Sequence, residues 1–196
     1  MSGVRWWTRS LSGVSAAAML ALPQAAAAQA ARPEVFGGYS YLYDPSHAIV
    51  QANADQNSLR VGWMAGAARP ILNDWLAIVG DVSGHRKRRL TFDGDVTLSF
   101  QAYMGGVRAA ARIGPFIEFA QLLAGVVRSS GSQFGIEVHD SGFALQPGGG
   151  LDYPFASRLA ARIEFDYRTV DGTDAGRERV HQLRAALSLV VYPWRP

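Results

Sequence analysis

Between residues 158 and 168 the sequence sorts its charged and apolar side chains with a period of two. Arg158, Ala160, Arg162, Glu164, Asp166 and Arg168 share one face of an extended chain; Leu159, Ala161, Ile163, Phe165 and Tyr167 share the other. A helix mixes these sets, whereas a strand, whose successive side chains point to opposite sides, keeps them apart. The pattern returns where Leu183, Ala185, Leu187, Leu189 and Val191 alternate with Gln182, Arg184, Ala186 and Ser188. It is also present where Val96, Leu98, Phe100 and Ala102 alternate with Thr97, Ser99, Gln101 and Tyr103, and where Leu59, Val61 and Trp63 alternate with Ser58, Arg60 and Gly62.

Eight such segments are predicted, near 33–43, 57–68, 75–85, 96–110, 115–128, 142–150, 158–168 and 180–192. Residues 119–127 resemble a buried helix by composition, but their Gly, their β-branched residues and their place in the series favour a strand. The links alternate in length. Those at 69–74, 111–114 and 151–157 are short and carry turn-forming Pro, Gly, Asn and Asp; those at 44–56, 86–95, 129–141 and 169–179 are longer and more polar. Short turns at one end and long loops at the other are the pattern of transmembrane barrels. Ten residues tilted by about 40° cover roughly 25 Å, the height of the apolar band.

The first thirty residues form a different unit. Arg5 and Arg9 precede an apolar stretch from Leu11 to Leu22, and a small-residue tract ends in Ala28-Gln29-Ala30. That order predicts a secretory signal peptide over 1–30 and a mature barrel domain over 31–196. The leader takes two Arg and no carboxylate, so 19 basic against 16 acidic residues becomes 17 against 16. A near-neutral mature chain argues against a nucleic-acid partner, which would need a basic face. The chain has no Cys, so neither disulfides nor thiolate metal sites are available. No stretch after residue 30 reaches the roughly 18 consecutive apolar residues of a membrane-spanning helix. A membrane location therefore requires a closed barrel.

Alternation alone also fits a secreted, lipocalin-like ligand-binding barrel with its faces inverted. Three features favour the membrane form. The mature chain is only about one-fifth charged, it ends on an aromatic-flanked strand, and its aromatics gather at strand ends. Phe36, Trp75, Phe116, Tyr153, Phe155, Tyr192 and Trp194 lie beside the short turns; Tyr41, Tyr43, Phe92, Phe143 and Tyr167 lie towards the loops. Aromatic girdles at both membrane interfaces are expected of such barrels. The fold class is thus all-β: an eight-stranded antiparallel up-and-down transmembrane β-barrel.

The opening Val35-Phe36-Gly37-Gly38-Tyr39-Ser40-Tyr41, the segment Gly148-Gly149-Gly150-Leu151-Asp152-Tyr153, the alternating strand after it and the closing Leu187 to Trp194 resemble small bacterial outer-membrane barrels. These are the OmpA-type transmembrane domain and OmpX-like families. The resemblance implies fold and outer-membrane location more than activity. The chain departs from it in ending Trp194-Arg195-Pro196, not on the aromatic itself, and in carrying no peptidoglycan-binding domain after the barrel.

With apolar residues facing lipid, Arg60, Asp81, Gln101, Glu118, Arg158, Arg162, Glu164, Asp166, Arg168 and Arg184 are expected inside. Buried charge must be paired, so they should form a structural ion network that fills the lumen. Arg86, Lys87, Arg88 and Arg89 form a basic run suited to phosphate, and hence to outer-membrane lipids such as lipopolysaccharide. Its bland alternative is a solvated loop. His139 and Ser141 resemble the His-x-Ser of outer-membrane lipid A deacylases, which would need a carboxylate such as Glu137 or Asp140. The Asn that follows the Ser in that family is missing here. No metal-ligand spacing joins His47 or His181 to other residues, and Gly105-Gly106 and Gly148-Gly149-Gly150 lack the strand–loop–helix context of a phosphate cradle. The sequence therefore predicts a monomeric, non-enzymatic surface or structural barrel without a metal or cofactor, with a lipid-modifying enzyme as the alternative.

Overall fold

A computed structural model describes residues 32–43, 58–59, 61–72, 75–91, 94–133, 136–172 and 179–193. Among them, eight strands form one antiparallel sheet that closes on itself. They are β1 (Glu34–Tyr43), β2 (Val61–Leu72, extended by Ser58–Leu59), β3 (Leu76–Thr91), β4 (Gly94–Ile113), β5 (Phe116–Gln133), β6 (Ile136–Ala156), β7 (Leu159–Gly172) and β8 (Val180–Val191). Each strand pairs with its sequence neighbours, and β1 closes the ring on β8 from Val35↔Val191 to Tyr43↔Leu183. Closure removes the unpaired edges that an open sheet would expose.

The turns at one end are tight. Ile113 pairs with Phe116 around Gly114-Pro115, where Gly114 takes φ 60°, a left-handed backbone that costs Gly little. Ala156 pairs with Leu159 around Ser157-Arg158. At the other end the expectation of long loops at 86–95 and 129–141 is corrected. β3 and β4 stay paired to Thr91↔Gly94, and β5 and β6 to Gln133↔Ile136. Polar, Ser/Gly-rich residues suited a loop reading, but backbone pairing needs no apolar face once the strands leave the bilayer. β4, β5 and β6 are therefore 18 to 21 residues long, against 10 to 14 for β1, β7 and β8. About ten suffice to cross a membrane, so a sheet projects from one side of the ring.

The two faces of the wall answer the question that periodicity left open. Leu122, Val126, Ile163, Phe165, Leu187 and Leu189 are exposed on the outside, whereas Arg162, Arg168, Arg184, Asp81, Asp152 and Glu164 are buried inside. A water-soluble barrel has the opposite arrangement. Exposed Trp75, Phe116, Tyr153 and Phe155 ring the turn end, with Phe116 and Tyr153 in contact at a centroid separation of 5.6 Å. Of the girdle expected towards the loops, Phe143 and Tyr167 are exposed and Tyr41 and Tyr43 are half-buried; Trp63 and Tyr103 are exposed as well. Two residues expected in the lower girdle, Phe36 and Tyr192, are instead buried in the interior. Phe92 and Trp194 lie outside the described residues.

Candidate functional site

The interior is built from the inward-pointing residues of every strand. At the turn end, β1 supplies Glu34 and Phe36, β4 Arg108, β5 Phe119 and Gln121, β6 Asp152 and β7 Arg162. Arg162 donates from Nε and Nη2 to the two oxygens of Asp152, at 2.6 and 2.7 Å, and from Nη2 to Glu34 at 2.8 Å. Arg108 pairs with Glu34 and donates from Nη2 to Gln121 at 2.7 Å. Both guanidiniums also lie against two aromatic rings. Arg108 is 5.1 Å from the Phe36 centroid and 4.3 Å from that of Phe119; Arg162 is 4.8 and 4.6 Å away. Desolvated cation–π contacts of this kind contribute about 2 kcal/mol. This explains why two apolar rings occupy a polar interior.

Gln121 joins this cluster to the next by donating to Asp166 at 3.0 Å. There Arg184 of β8 faces three carboxylates. It donates to Asp166 at 2.8 Å and to both oxygens of Asp81 at 3.2 Å, and it pairs with Glu164. Glu164 also stands 3.7 Å from Arg108, so the two clusters touch a second time. Towards the loop end, Arg168 donates to Gln146 at 2.8 Å and Ser83 at 3.4 Å, and His85 shares a hydrogen bond with Ser40 at 3.0 Å. The wall makes room for these groups where it lacks side chains. A Cβ on Gly148 would lie 1.8 Å from an Asp166 oxygen, and one on Gly150 would lie 2.8 Å from the Phe119 ring. The glycine run thus permits close approach of Asp166 and Phe119 to the wall.

Of the residues expected inside, Arg162, Glu164, Asp166, Arg168, Arg184 and Asp81 are brought together here. Three are not. Arg158 lies exposed in the β6–β7 turn, beyond the last interior rung. Glu118 points outward between inward Ile117 and Phe119, because the stacked ring reverses the usual phase of apolar and charged positions. Gln101 points outward beside inward Ala102. Arg60 lies outside the described residues. Arg108, Glu34, Asp152, Gln121 and Gln146 belong to the network without having been singled out from sequence. For Asp152 the signal was present, since it shares the even-numbered face of β6 with Gly148 and Gly150.

The remaining candidates sit on the rim. Arg86 is exposed on the outer face of β3, opposite Ser99. Lys87, Arg88 and Arg89 continue the strand, but their side chains lie outside the described residues. Ser141 is exposed on β6 opposite Arg128, and His139, whose side chain is likewise outside the description, is opposite Ser130. Asp140 falls on the alternate face of the strand from Ser141, a poor position for the orienting carboxylate of a hydrolase.

The family profile described as outer membrane protein beta-barrel domain matches residues 12–189. The chain belongs to this family of outer-membrane β-barrels. Solved structures agree on the fold. Neisserial surface protein A superimposes with a TM-score of 0.61 at 9% identity, over 82% of this chain and 95% of that one. The attachment invasion locus protein Ail of Yersinia pestis gives 0.55 at 15% identity, over 82% and 98%. The N-terminal β-barrel domain of Pseudomonas aeruginosa OprF gives 0.51 at 8% identity, over 83% and 98%. Ail has also been crystallised in complex with the heparin analogue sucrose octasulfate. None of the curated protein sequences matches this chain. Family membership places the protein in the outer membrane, with its tight-turn end corresponding to the periplasmic side of such barrels.

Proposed function

We propose that the protein is a monomeric, non-enzymatic barrel whose lumen is a structural plug and whose work is done on its outer surface. The observation that carries this is the unbroken ion and hydrogen-bond network from Glu34 through Arg108, Gln121 and Asp166 to Arg184 and Asp81. It crosses the barrel between strands on opposite sides of the ring. The cavity beside it at the turn end, lined by Arg32, Glu34, Arg108, Asp152 and Arg162, measures about 10 Å³, room for about one water. Eight-stranded barrels are just wide enough for side chains to fill.

The projecting β3–β6 sheet and the basic residues Arg86 to Arg89 then become the working surface. We assign them contact with phosphate-bearing outer-leaflet lipids such as lipopolysaccharide, in a protein exported by cleavage of residues 1–30. The heparin-analogue complex of Ail offers a parallel for a barrel of this fold meeting an anionic saccharide. Recording from the mature protein in planar bilayers tests the plug: brief, small or no current is expected, and a large, steady open conductance would defeat it. Ser141→Ala should leave the lipid A acylation profile unchanged if the protein is not a deacylase.

A further inference from the structure

Outside the lumen, the projecting sheet carries a polar groove that the ion network does not use. Successive strands set Gln101 opposite Arg128 and Arg128 opposite Ser141, while Ser99 lies opposite Ser130 in the adjoining row. Together with Ser129 and Asp140, which pair on the alternate face of the wall, they line an open groove of about 570 Å³. One step towards the turn end the same outward face carries Tyr103, Val126 and Phe143, followed by Leu145 and Leu122. The groove therefore begins where the wall changes from apolar to polar, at the depth of the outer-leaflet headgroups. Tyr103 holds its edge: the phenol donates to Gln101 Oε1 at 3.1 Å, and the ring lies 5.9 Å from the Arg128 guanidinium.

We infer that this groove seats the phosphorylated saccharide headgroup of an outer-leaflet glycolipid. An arginine fork matches a phosphate by paired, charge-assisted hydrogen bonds. Ser99, Gln101, Ser130 and Ser141 supply the small donors and acceptors that sugar hydroxyls require, and Tyr103 offers an aromatic surface beside them. The lipid's acyl chains would then run down the apolar wall below Phe143 and Val126. The inference rests on the reading that outward basic residues meet outer-leaflet headgroups. It goes further in naming one site, centred on Arg128 and not on the run from Arg86 to Arg89.

The test uses the full mature barrel in phosphatidylcholine nanodiscs, titrated with bisphosphorylated lipid A, with its dephosphorylated form and with inorganic phosphate. The groove predicts binding of bisphosphorylated lipid A that weakens roughly tenfold on dephosphorylation or in Arg128→Gln, the loss of one charge-assisted pair. Inorganic phosphate should bind neither protein measurably. Arg128 faces outward, and heat-modifiable gel mobility retained in each variant should report an intact barrel. A fourfold variant, Arg86→Gln, Lys87→Gln, Arg88→Gln and Arg89→Gln, separates the two readings. Loss of binding in that variant with Arg128→Gln unchanged overturns the groove and leaves headgroup contact standing. No binding by the unmodified protein overturns both, and binding of inorganic phosphate as tight as that of lipid A overturns the glycolipid assignment.

Discussion

The turn-end half of the interior sets two guanidiniums against two carboxylates, whereas the middle sets one guanidinium against three. Arg108 and Arg162 share Glu34 and Asp152, with Phe36 and Phe119 as a second layer of contact. Arg184 alone gathers Asp81, Asp166 and Glu164, with Arg108 reaching Glu164 only at 3.7 Å. Both regions are buried, and what separates them is charge balance. The balanced cluster can lose one member and keep a partner for most of what remains. The acid-rich cluster depends on a single cation, and its three carboxylates repel one another without it.

The variant expected to do most damage is therefore Arg184→Met, which removes the cation shared by three buried carboxylates and leaves only Gln121 on Asp166 and Arg108, at 3.7 Å, near Glu164. It should cost about 5 kcal/mol of unfolding free energy, the upper end for a broken buried pair, in urea titration of the barrel in lipid vesicles. Arg162→Met removes a bidentate partner from Asp152 but leaves Arg108 on Glu34, so the same titration should show about 3 kcal/mol. Equal losses in the two variants would break the comparison. Phe119→Leu keeps every ion pair and removes a ring from both guanidiniums. A loss of about 2 kcal/mol, specific to the turn-end cluster, would sharpen the comparison. Glu164→Gln should change stability by no more than about 1 kcal/mol in either direction, because Arg184 keeps two carboxylates. Smallest of all is Asp171→Asn. Its pair with Arg179 is more than half exposed on both sides, and no measurable change in melting temperature is expected.

The same contrast explains how far the sequence could be read. β7 and β8 were legible because Ile163, Phe165, Leu187 and Leu189 are uniformly apolar opposite a face that carries Arg162, Glu164, Asp166, Arg168, Gln182 and Arg184, so both period and phase were visible. Around Ile117-Glu118-Phe119 the period was visible but the phase was not. Phe119 is inside because a guanidinium can be satisfied by a ring as well as by a carboxylate, and that placed Glu118 on the wrong face. Arg108 lies between Val107 and a run of alanines, small enough for either side of the wall, and only its partners on β1 and β5 fix its direction. Glu34 and Arg162 are 128 residues apart in sequence, and only ring closure brings them together. The strand extensions at 86–91, 129–133 and 136–141 were hidden for a different reason. Once the wall leaves lipid there is no apolar face to mark it, and Ser- and Gly-rich pairing looks like a loop.

The central claim, an apolar wall around a buried charged interior, is most directly tested along β7. The chain has no cysteine, so single substitutions Ala160→Cys, Ala161→Cys, Ile163→Cys, Glu164→Cys, Phe165→Cys and Tyr167→Cys each give one site for a nitroxide spin label. In lipid vesicles, labels at 161, 163, 165 and 167 should relax with membrane-dissolved oxygen, and those at 160 and 164 should be shielded from oxygen and from an aqueous nickel chelate alike. Labels at the odd positions that meet nickel instead of oxygen, or an accessibility that repeats every three to four residues, would contradict the barrel described here.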